Sequence, residues 1–426
     1  PQKSPNNKGL HYDDVSLRKT KQMSSQKYRL SAGTVTQTDK PLSFTFDGKS
    51  YQGCAGDTLA SALLAAGVHL IGRSFKYHRP RGIMSAGPEE PNALVRVGTG
   101  AYAEPNLKAT QVELYDGLVA TSQNRFPSLK YDIGSVNSLM SRYLPAGFYY
   151  KTFMWPASFW MTYEHFIRNA AGLGKVASDP VDPDRYEKTH RHCEIVIAGG
   201  GAAGLMAAYQ AGLSGQRVIL VDEQPEFGGW LLSYDAVEID NMPAIDWVKK
   251  MLSLLSEMDN VTLLRRTTMF GYGDHNYITL AERVTDHMST RPAHLPRMRL
   301  WKVRATQVIL ATGCIERPLV FGGNDLPGIM MGTAAQRLMK LYAVRPGKRA
   351  VVLAGNDDAY GVALDLHDAG VDVAAVVECR DELSSDPRVA AVKERGIEVM
   401  VGHTVYAAHA KSHHLVSVDV RRIIAA

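Results

Sequence analysis

The sequence predicts an α/β chain: two nucleotide-binding βαβ units with parallel sheets, preceded by a small α+β domain. Three stretches predict this. From Glu194 to Glu223 an apolar run, a glycine loop, a helical stretch, a second apolar run and an acidic pair follow one another. From Arg349 to Glu378 a similar alternation returns. From Leu42 to Val97 the pattern is a hairpin, a short helix, a Pro/Gly-rich loop and another strand. Strands alternating with helices favour parallel sheets, whereas hairpins are antiparallel. The 426 residues suffice for two or three domains, and 45% hydrophobic with 21% charged residues supports a large core. The net charge of +5 is diffuse and gives no reason to expect nucleic acid as a partner. No apolar run reaches the roughly 18 residues that a membrane span requires.

Residues 1–30 are expected to be a disordered N-terminal segment, because the first stretch, PQKSPNNKGLHYDDVSLRKTKQ, is polar and aperiodic. Met23 is a plausible start, and the chain reads as part of a longer polypeptide. Residues 31–130 form the small domain. Apolar alternation from Leu42 to Tyr51 flanks Asp47-Gly48, a hairpin signal. Asp57 or Thr58 caps a helix with Leu59, Leu63 and Leu64 on one face, and Gly67 ends it. A Pro/Gly-rich loop from Ser74 leads into the strand ALVRV. This order resembles a ferredoxin-like β-grasp. Plant-type ferredoxins hold their cluster with closely spaced cysteines. Here the loop offers Arg79, Arg81, Ser85 and Gly87, and Cys54 stands alone, so a domain without a cluster is expected. The other cysteines, Cys193, Cys314 and Cys379, are equally isolated; neither a zinc site nor a redox disulfide is expected, and a reducing cytoplasm is.

Residues 131–190 read as a connection rich in aromatics and prolines, suited to buried packing or a partner surface, with ASDPVDPDRYE (177–187) as a linker. Residues 191–345 form the first nucleotide-binding domain, of Rossmann type. Glu194–Ala198 is a strand; Gly199, Gly201 and Gly204 follow in G-x-G-x-x-G spacing; Leu205–Leu213 is a helix; and Arg217–Val221 is a strand ending at Asp222-Glu223. Gly199 permits the tight turn, Gly201 lets backbone approach a diphosphate, and Gly204 lets helix and strand pack closely. The helix N-terminus offers free N–H groups to the anion. Asp222 best fits the ribose-binding position by count, with Glu223 as the alternative; either acid repels a 2′-phosphate and disfavours NADP. Gly228-Gly229 after the acids and the strand ending Ala311-Thr312-Gly313 resemble the two-domain, flavoprotein disulfide reductase-like class. Residues 346–426 supply a second Rossmann-like unit. Its loop has Asp357 and Tyr360 where glycines are required, so the site is expected to be degenerate and the chain to stop before completing the fold. With one working site and no CxxC, hydride relay to a disulfide is not expected.

GDTLASALLAAGV, RSFKYHRPRGIM with AGPEEPNALV, AGGGAAGLMAA, VILVDEQPEFGG, ILATGCIERPLVF and YAVRPGKRAVVLAGNDDAYGVA, spread from Ser31 onward, together resemble the α-subunit family of heterotetrameric sarcosine oxidases. The resemblance implies oxidative demethylation of sarcosine to glycine, with hydrogen peroxide and methylenetetrahydrofolate formed. It implies FAD and FMN mainly in the β subunit, with FMN at the α/β interface, and β, γ and δ subunits as partners. For this chain it implies NAD held as a scaffold ligand and no catalytic residue of its own; tetrahydrofolate would belong to a following domain absent from this sequence. By motif matching, NAD contacts fall on Gly199, Gly201, Ala203, Gly204, Asp222, Glu223 and Gln224. Trp230 stands where a smaller polar residue is expected, and Met269 stands where a backbone contact to adenine is usual. A related opine oxidase, a cyanide-forming glycine dehydrogenase or a non-catalytic NAD-binding module are the alternatives. The pairs His190/His192 and His413/His414 read as solvated surface rather than metal ligands. The basic block Lys76–Arg81 reads as arginines holding loop backbone or a partner subunit.

Overall fold

In the computed structural model the described residues are 26–143, 147, 155–170, 174, 176, 181–234 and 237–424. Most of the expected disordered segment, residues 1–25, lies outside them. Residues 26–30 depart from that expectation. Tyr28 is buried with its ring edge-on to His69, and Arg29 pairs with Asp57 at 2.6 Å. A buried charge pair and a buried ring order these residues, which composition did not anticipate.

The small domain forms a five-stranded sheet from β1 (Gln37–Phe46), β2 (Lys49–Ala55), β3 (Leu94–Val97), β4 (Glu104–Lys108) and β5 (Leu118–Ser122), in the order β2-β1-β5-β3-β4. The β1–β2 hairpin turns on Asp47 and Gly48, both at positive φ (49° and 75°), the conformation a tight two-residue turn requires. Helix α1 (Leu59–Ala65) is wholly buried and starts on a capping box between Thr58 and Ser61. Thr58 is therefore the cap. Asp57 instead accepts from the Cys54 N–H (2.8 Å) and the Ser61 hydroxyl (2.7 Å) while pairing with Arg29.

An aromatic helix, α2 (Trp160–Ala170), lies within the connection. The nucleotide domain then begins earlier than its apolar pattern suggests. Its first strand, β6, spans Tyr186–Ala198, with a polar half that pairs in parallel with Met298–Arg304. Backbone pairing rather than burial carries those residues, so hydrophobicity does not mark them. Helix α3 (Ala202–Leu213) crosses to β7 (Val218–Val221), and α4 (Ala244–Ser256) crosses to β8 (Val261–Leu264). A β-meander of β9 (Thr267–Gly273), β10 (Tyr277–Arg283) and β11 (Met298–Leu310) returns to lie beside β6, giving the order β8-β7-β6-β11-β10-β9. Helix α4 buries Trp247, Val248, Met251 and Leu255 on one face, each contributing about 1.5–3 kcal/mol. The chain thus leaves β6 in one direction and rejoins it from the other, which opens a crevice at the carboxyl ends of β6 and β11.

Helix α5 (Gly332–Lys340) joins the three parts. Ala334 and Leu338, with Met331 and Leu341 at its ends, complete the core of the small domain. Ala335 and Met339 enter the core of the second unit. That unit is a parallel sheet of β12 (Arg349–Ala354), β13 (Asp372–Glu378) and β14 (Glu398–Val401), with α6 (Asp358–Asp368) and α7 (Pro387–Glu394) as crossovers. A hairpin of β15 (His403–Lys411) and β16 (His414–Arg422) ends the described chain. Arg79 and Arg81 of the basic block both pair with Asp325, on the segment leading into α5. The fold class is the predicted one. The small domain, however, closes its core with residues beyond 330, because α5 supplies the wall that its own short sequence lacks.

Candidate dinucleotide site

The glycine loop is built by collisions that a side chain would cause. A Cβ on Gly199 (φ 103°) would sit 2.2 Å from the Ala311 carbonyl oxygen at the end of β11. A Cβ on Gly204 would sit 1.8 Å from the Gly199 oxygen. A Cβ on Gly201 would meet nothing within 4 Å. Two glycines are thus required by packing, and the third keeps a space clear. Gly201 is also the N-cap of α3, with no side chain capping it, and Ala203 in the first turn is exposed. The free N–H groups and positive dipole end of a 12-residue helix face that space.

The opposite wall is the Gly228-Gly229 turn. Gly228 donates its N–H to the Gly200 oxygen (2.8 Å), and a Cβ on Gly229 would lie 3.1 Å from the Gly201 Cα. Trp230 follows, half-buried. Asp222 accepts from the Gly200 N–H (2.7 Å) and the Gln224 N–H (2.8 Å), so one carboxylate clamps the glycine loop and the next turn. Burial pushes its carboxyl above the usual range, against the pull of those N–H groups and of Arg337. Glu223 is also raised, by burial first and then by Asp222 and Glu89. Its carboxylate has no hydrogen bond among the described residues, whereas Arg283 binds its carbonyl (2.9 Å). Met269 lies on β9, half-buried, with its side chain packed on the sheet core.

A cavity of about 540 Å³ lies between the small domain and the β-meander, lined by residues including Lys108, Glu113, Thr268, Arg283 and His287. Arg283 and Lys108 act on Glu223 as well, so the cavity adjoins the acidic end of the crevice. A bidentate pair, Arg266 with Glu113 (2.6 and 2.7 Å), fastens one domain to the other beside it.

The matching loop of the second unit is filled by its own side chains. Arg380 pairs with Asp357 (2.6 Å) and Glu378 (2.7 Å), and the Tyr360 hydroxyl donates to Glu378 (2.8 Å). Tyr360 is fully buried. Burial and Glu378 push its hydroxyl up to about 12. Burial alone would raise Glu378, but the Arg380 bonds outweigh it and hold that carboxyl below its usual range.

The histidine pairs are not brought together. His190 and His192 are exposed on β6, and His413 and His414 sit at the β15–β16 turn, where the His414 ring faces His69. Among the described residues no group of three His, Cys, Asp or Glu side chains is placed to hold a metal ion, and no helix is long and apolar enough to cross a membrane. Sequence reasoning missed Glu89 and Arg337, which reach the crevice from the small domain and from α5. Glu89 lies in AGPEEPNALV, a stretch that carries the family resemblance but gave it no role, and Arg337 lies in none of those stretches; only the tertiary fold brings Glu89 near Glu223 and Arg337 near Asp222.

Residues 39–125 match a 2Fe-2S iron-sulfur cluster binding domain family, and residues 193–426 match the pyridine nucleotide-disulphide oxidoreductase family. The chain is 54% identical over 362 residues to sarcosine oxidase subunit alpha of Rhizobium meliloti (strain 1021), covering 85% of this chain and 36% of that protein. It is 36% identical to the subunit alpha of Corynebacterium sp. (strain U-96), covering 88% of this chain and 34% of that one. The chain therefore spans about a third of the length of these relatives. A solved structure of L-proline dehydrogenase from P. horikoshii superposes over 92% of this chain and 61% of its own, with a TM-score of 0.55 and 19% identity, a likeness of fold. With 193–426 accounting for more than half of the chain, it belongs to the pyridine nucleotide-disulphide oxidoreductase family and is homologous to the alpha subunits of sarcosine oxidases.

Proposed function

We propose that this chain is the dinucleotide-binding part of the α subunit of a sarcosine oxidase. In this reading the assembly demethylates sarcosine oxidatively to glycine, with hydrogen peroxide and, with tetrahydrofolate, methylenetetrahydrofolate formed. The observation that carries it is the 54% identity across 85% of the chain to a protein bearing that name. FAD and FMN chemistry would lie mainly in the β subunit, with FMN at the α/β interface and γ and δ completing the complex. A cytoplasmic location belongs to the same proposal and rests on isolated cysteines.

The residues of the crevice fit a dinucleotide. Gly199, Gly201, Ala203 and Gly204 offer backbone to the diphosphate, and the space beyond Gly201 is clear. Asp222 accepts one N–H at each oxygen, from Gly200 and Gln224, and keeps lone pairs for ribose hydroxyls, while the Glu223 carboxylate has no hydrogen bond among the described residues, so either acid can accept from the ribose. The two acids favour NAD over its 2′-phosphorylated form. Bound NAD would supply structural binding energy here rather than hydride. In the second unit Asp357, Tyr360 and Arg380 fill the place of a second nucleotide, and we read that unit as empty.

We read the small domain as carrying no cluster, since Cys54 is the single cysteine in 39–125. Its thiol is buried, and burial pushes it up, away from the thiolate a metal needs.

The test is to purify the chain alone and with its partner subunits. The chain alone should release a dinucleotide with the mass and absorption of NAD and should not oxidise sarcosine. The complex should form peroxide from sarcosine. Oxidation of sarcosine by the isolated chain, or release of FAD from it, would overturn the assignment.

A further inference from the structure

Helix α5 presents three faces, and two are spoken for. Ala334 and Leu338 face the small domain, and Ala335 and Met339 face the second unit. The third carries Arg337. Its guanidinium lies 5.5 Å from the centre of the Trp230 ring, directly after the Gly228-Gly229 wall. Its Nε is buried with no hydrogen-bond partner, and no hydrogen bond or ion pair of its other nitrogens is found among the described residues. It acts electrostatically on Asp222, the carboxylate that clamps the glycine loop. Gly87 makes room for it: a Cβ there would stand 3.1 Å from Arg337 Nη1 and 2.4 Å from Glu89 Oε2. The Nε–H is the costly donor, because it is out of reach of water and no protein group accepts from it.

We infer that Arg337, braced by the Trp230 ring, is a further cofactor-binding residue whose guanidinium meets the diphosphate held over the Gly201 loop. This rests on the dinucleotide reading of the crevice. The chemistry is complementary. The helix N-terminus offers partial positive charge from one wall, and a planar, permanently charged fork can offer paired donors to phosphate oxygens from the other. Trp230, which departs from the smaller polar residue expected after the Gly-Gly, thereby gains a role: its ring face holds the cation in place. The acids nearby, Asp222, Glu223 and Glu89, keep the arginine from being a general anion trap and favour a ligand with ribose hydroxyls beside its phosphates.

The experiment is calorimetric titration of the full chain, stripped of ligand, with NAD, ADP-ribose and adenosine at two salt concentrations. Arg337→Gln should weaken NAD and ADP-ribose about ten- to a hundredfold, the worth of a charged hydrogen-bonded contact. Adenosine, which lacks the diphosphate, should bind wild type and variant alike. The variant should also lose part of the salt dependence seen in wild type. Arg337→Lys, which keeps charge and stem, should fold and bind between the two. If either variant binds NAD as wild type does, with unchanged salt dependence, Arg337 is a packing residue and the inference fails while the crevice reading stands. A merely structural arginine would also weaken all three ligands equally, and that result overturns the inference too. If wild type binds none of the three, the crevice reading falls and this one falls with it.

Discussion

Gly201 and Gly204 illustrate how residues of one kind serve different ends three positions apart. At Gly204 a methyl group has nowhere to go, since the Gly199 oxygen occupies its place. Gly204→Ala should therefore destabilise the fold, by about 1–3 kcal/mol, readable as a lower denaturant midpoint. At Gly201 the backbone is extended (φ −77°, ψ −169°) and the added group meets open space. Gly201→Val should leave the denaturant midpoint near wild type and abolish measurable NAD binding in the same titration. The spacing of these glycines was legible in the sequence because it obeys a local rule. The hydrogen bonding of Asp222 was not. Counting offers Asp222 and Glu223 to the ribose, and the fold adds a bond from the Gly200 N–H to one Asp222 oxygen and from the Gln224 N–H to the other, which spacing alone does not reveal. Arg337 was invisible for the same reason.

At the scale of elements, the sequence places Asp357 and Tyr360 in the second unit where loop glycines are required, side chains where backbone should be. What could not be read is that Arg380 turns them into a bonded group. Tyr360, Glu378, Asp357 and Arg380 tie the start of α6 to the tip of β13. Tyr360→Phe removes a donor from a buried carboxylate and should cost about 1–3 kcal/mol of stability, measured by denaturant titration. A loss well below that range would mean that Arg380 alone satisfies Glu378. Element boundaries were legible where burial alternates and illegible where it does not. The hairpin at Asp47-Gly48 and the helix after Thr58 appeared as expected. The polar half of β6 did not, because its residues alternate in neither size nor polarity and are held by pairing with β11.

Across the molecule, charged and titratable contacts join parts distant in sequence. Arg29 is bonded to Asp57 and donates to the Tyr342 carbonyl (2.7 Å), linking the first described residues, α1 and the end of α5. Both side chains are almost fully buried. Arg29→Met leaves Asp57 without its counter-ion and should cost about 3–5 kcal/mol, seen as a large drop in melting temperature. His69 connects the small domain to the β15–β16 turn. Burial, His414 and Lys27 lower its pKa to about 4. A histidine whose folded pKa is depressed lends stability that is complete above its unfolded value near 6.5 and lost as pH falls toward 4. Acidification through that window should therefore weaken the wild type, and His69→Gln should flatten that part of the stability-against-pH curve. An equal slope in both proteins would assign the acid sensitivity elsewhere.

The triple contact of α5 bears on where this polypeptide can be cut. A fragment ending near residue 130 contains every strand of the first sheet, yet it lacks Met331, Leu338, Leu341, Tyr342 and Val344, which seal its interior. Architectural boundaries and autonomous folding units do not coincide here. Excised in that way, the leading segment would expose an oily flank and aggregate, so expression trials should retain the chain at least through Val344.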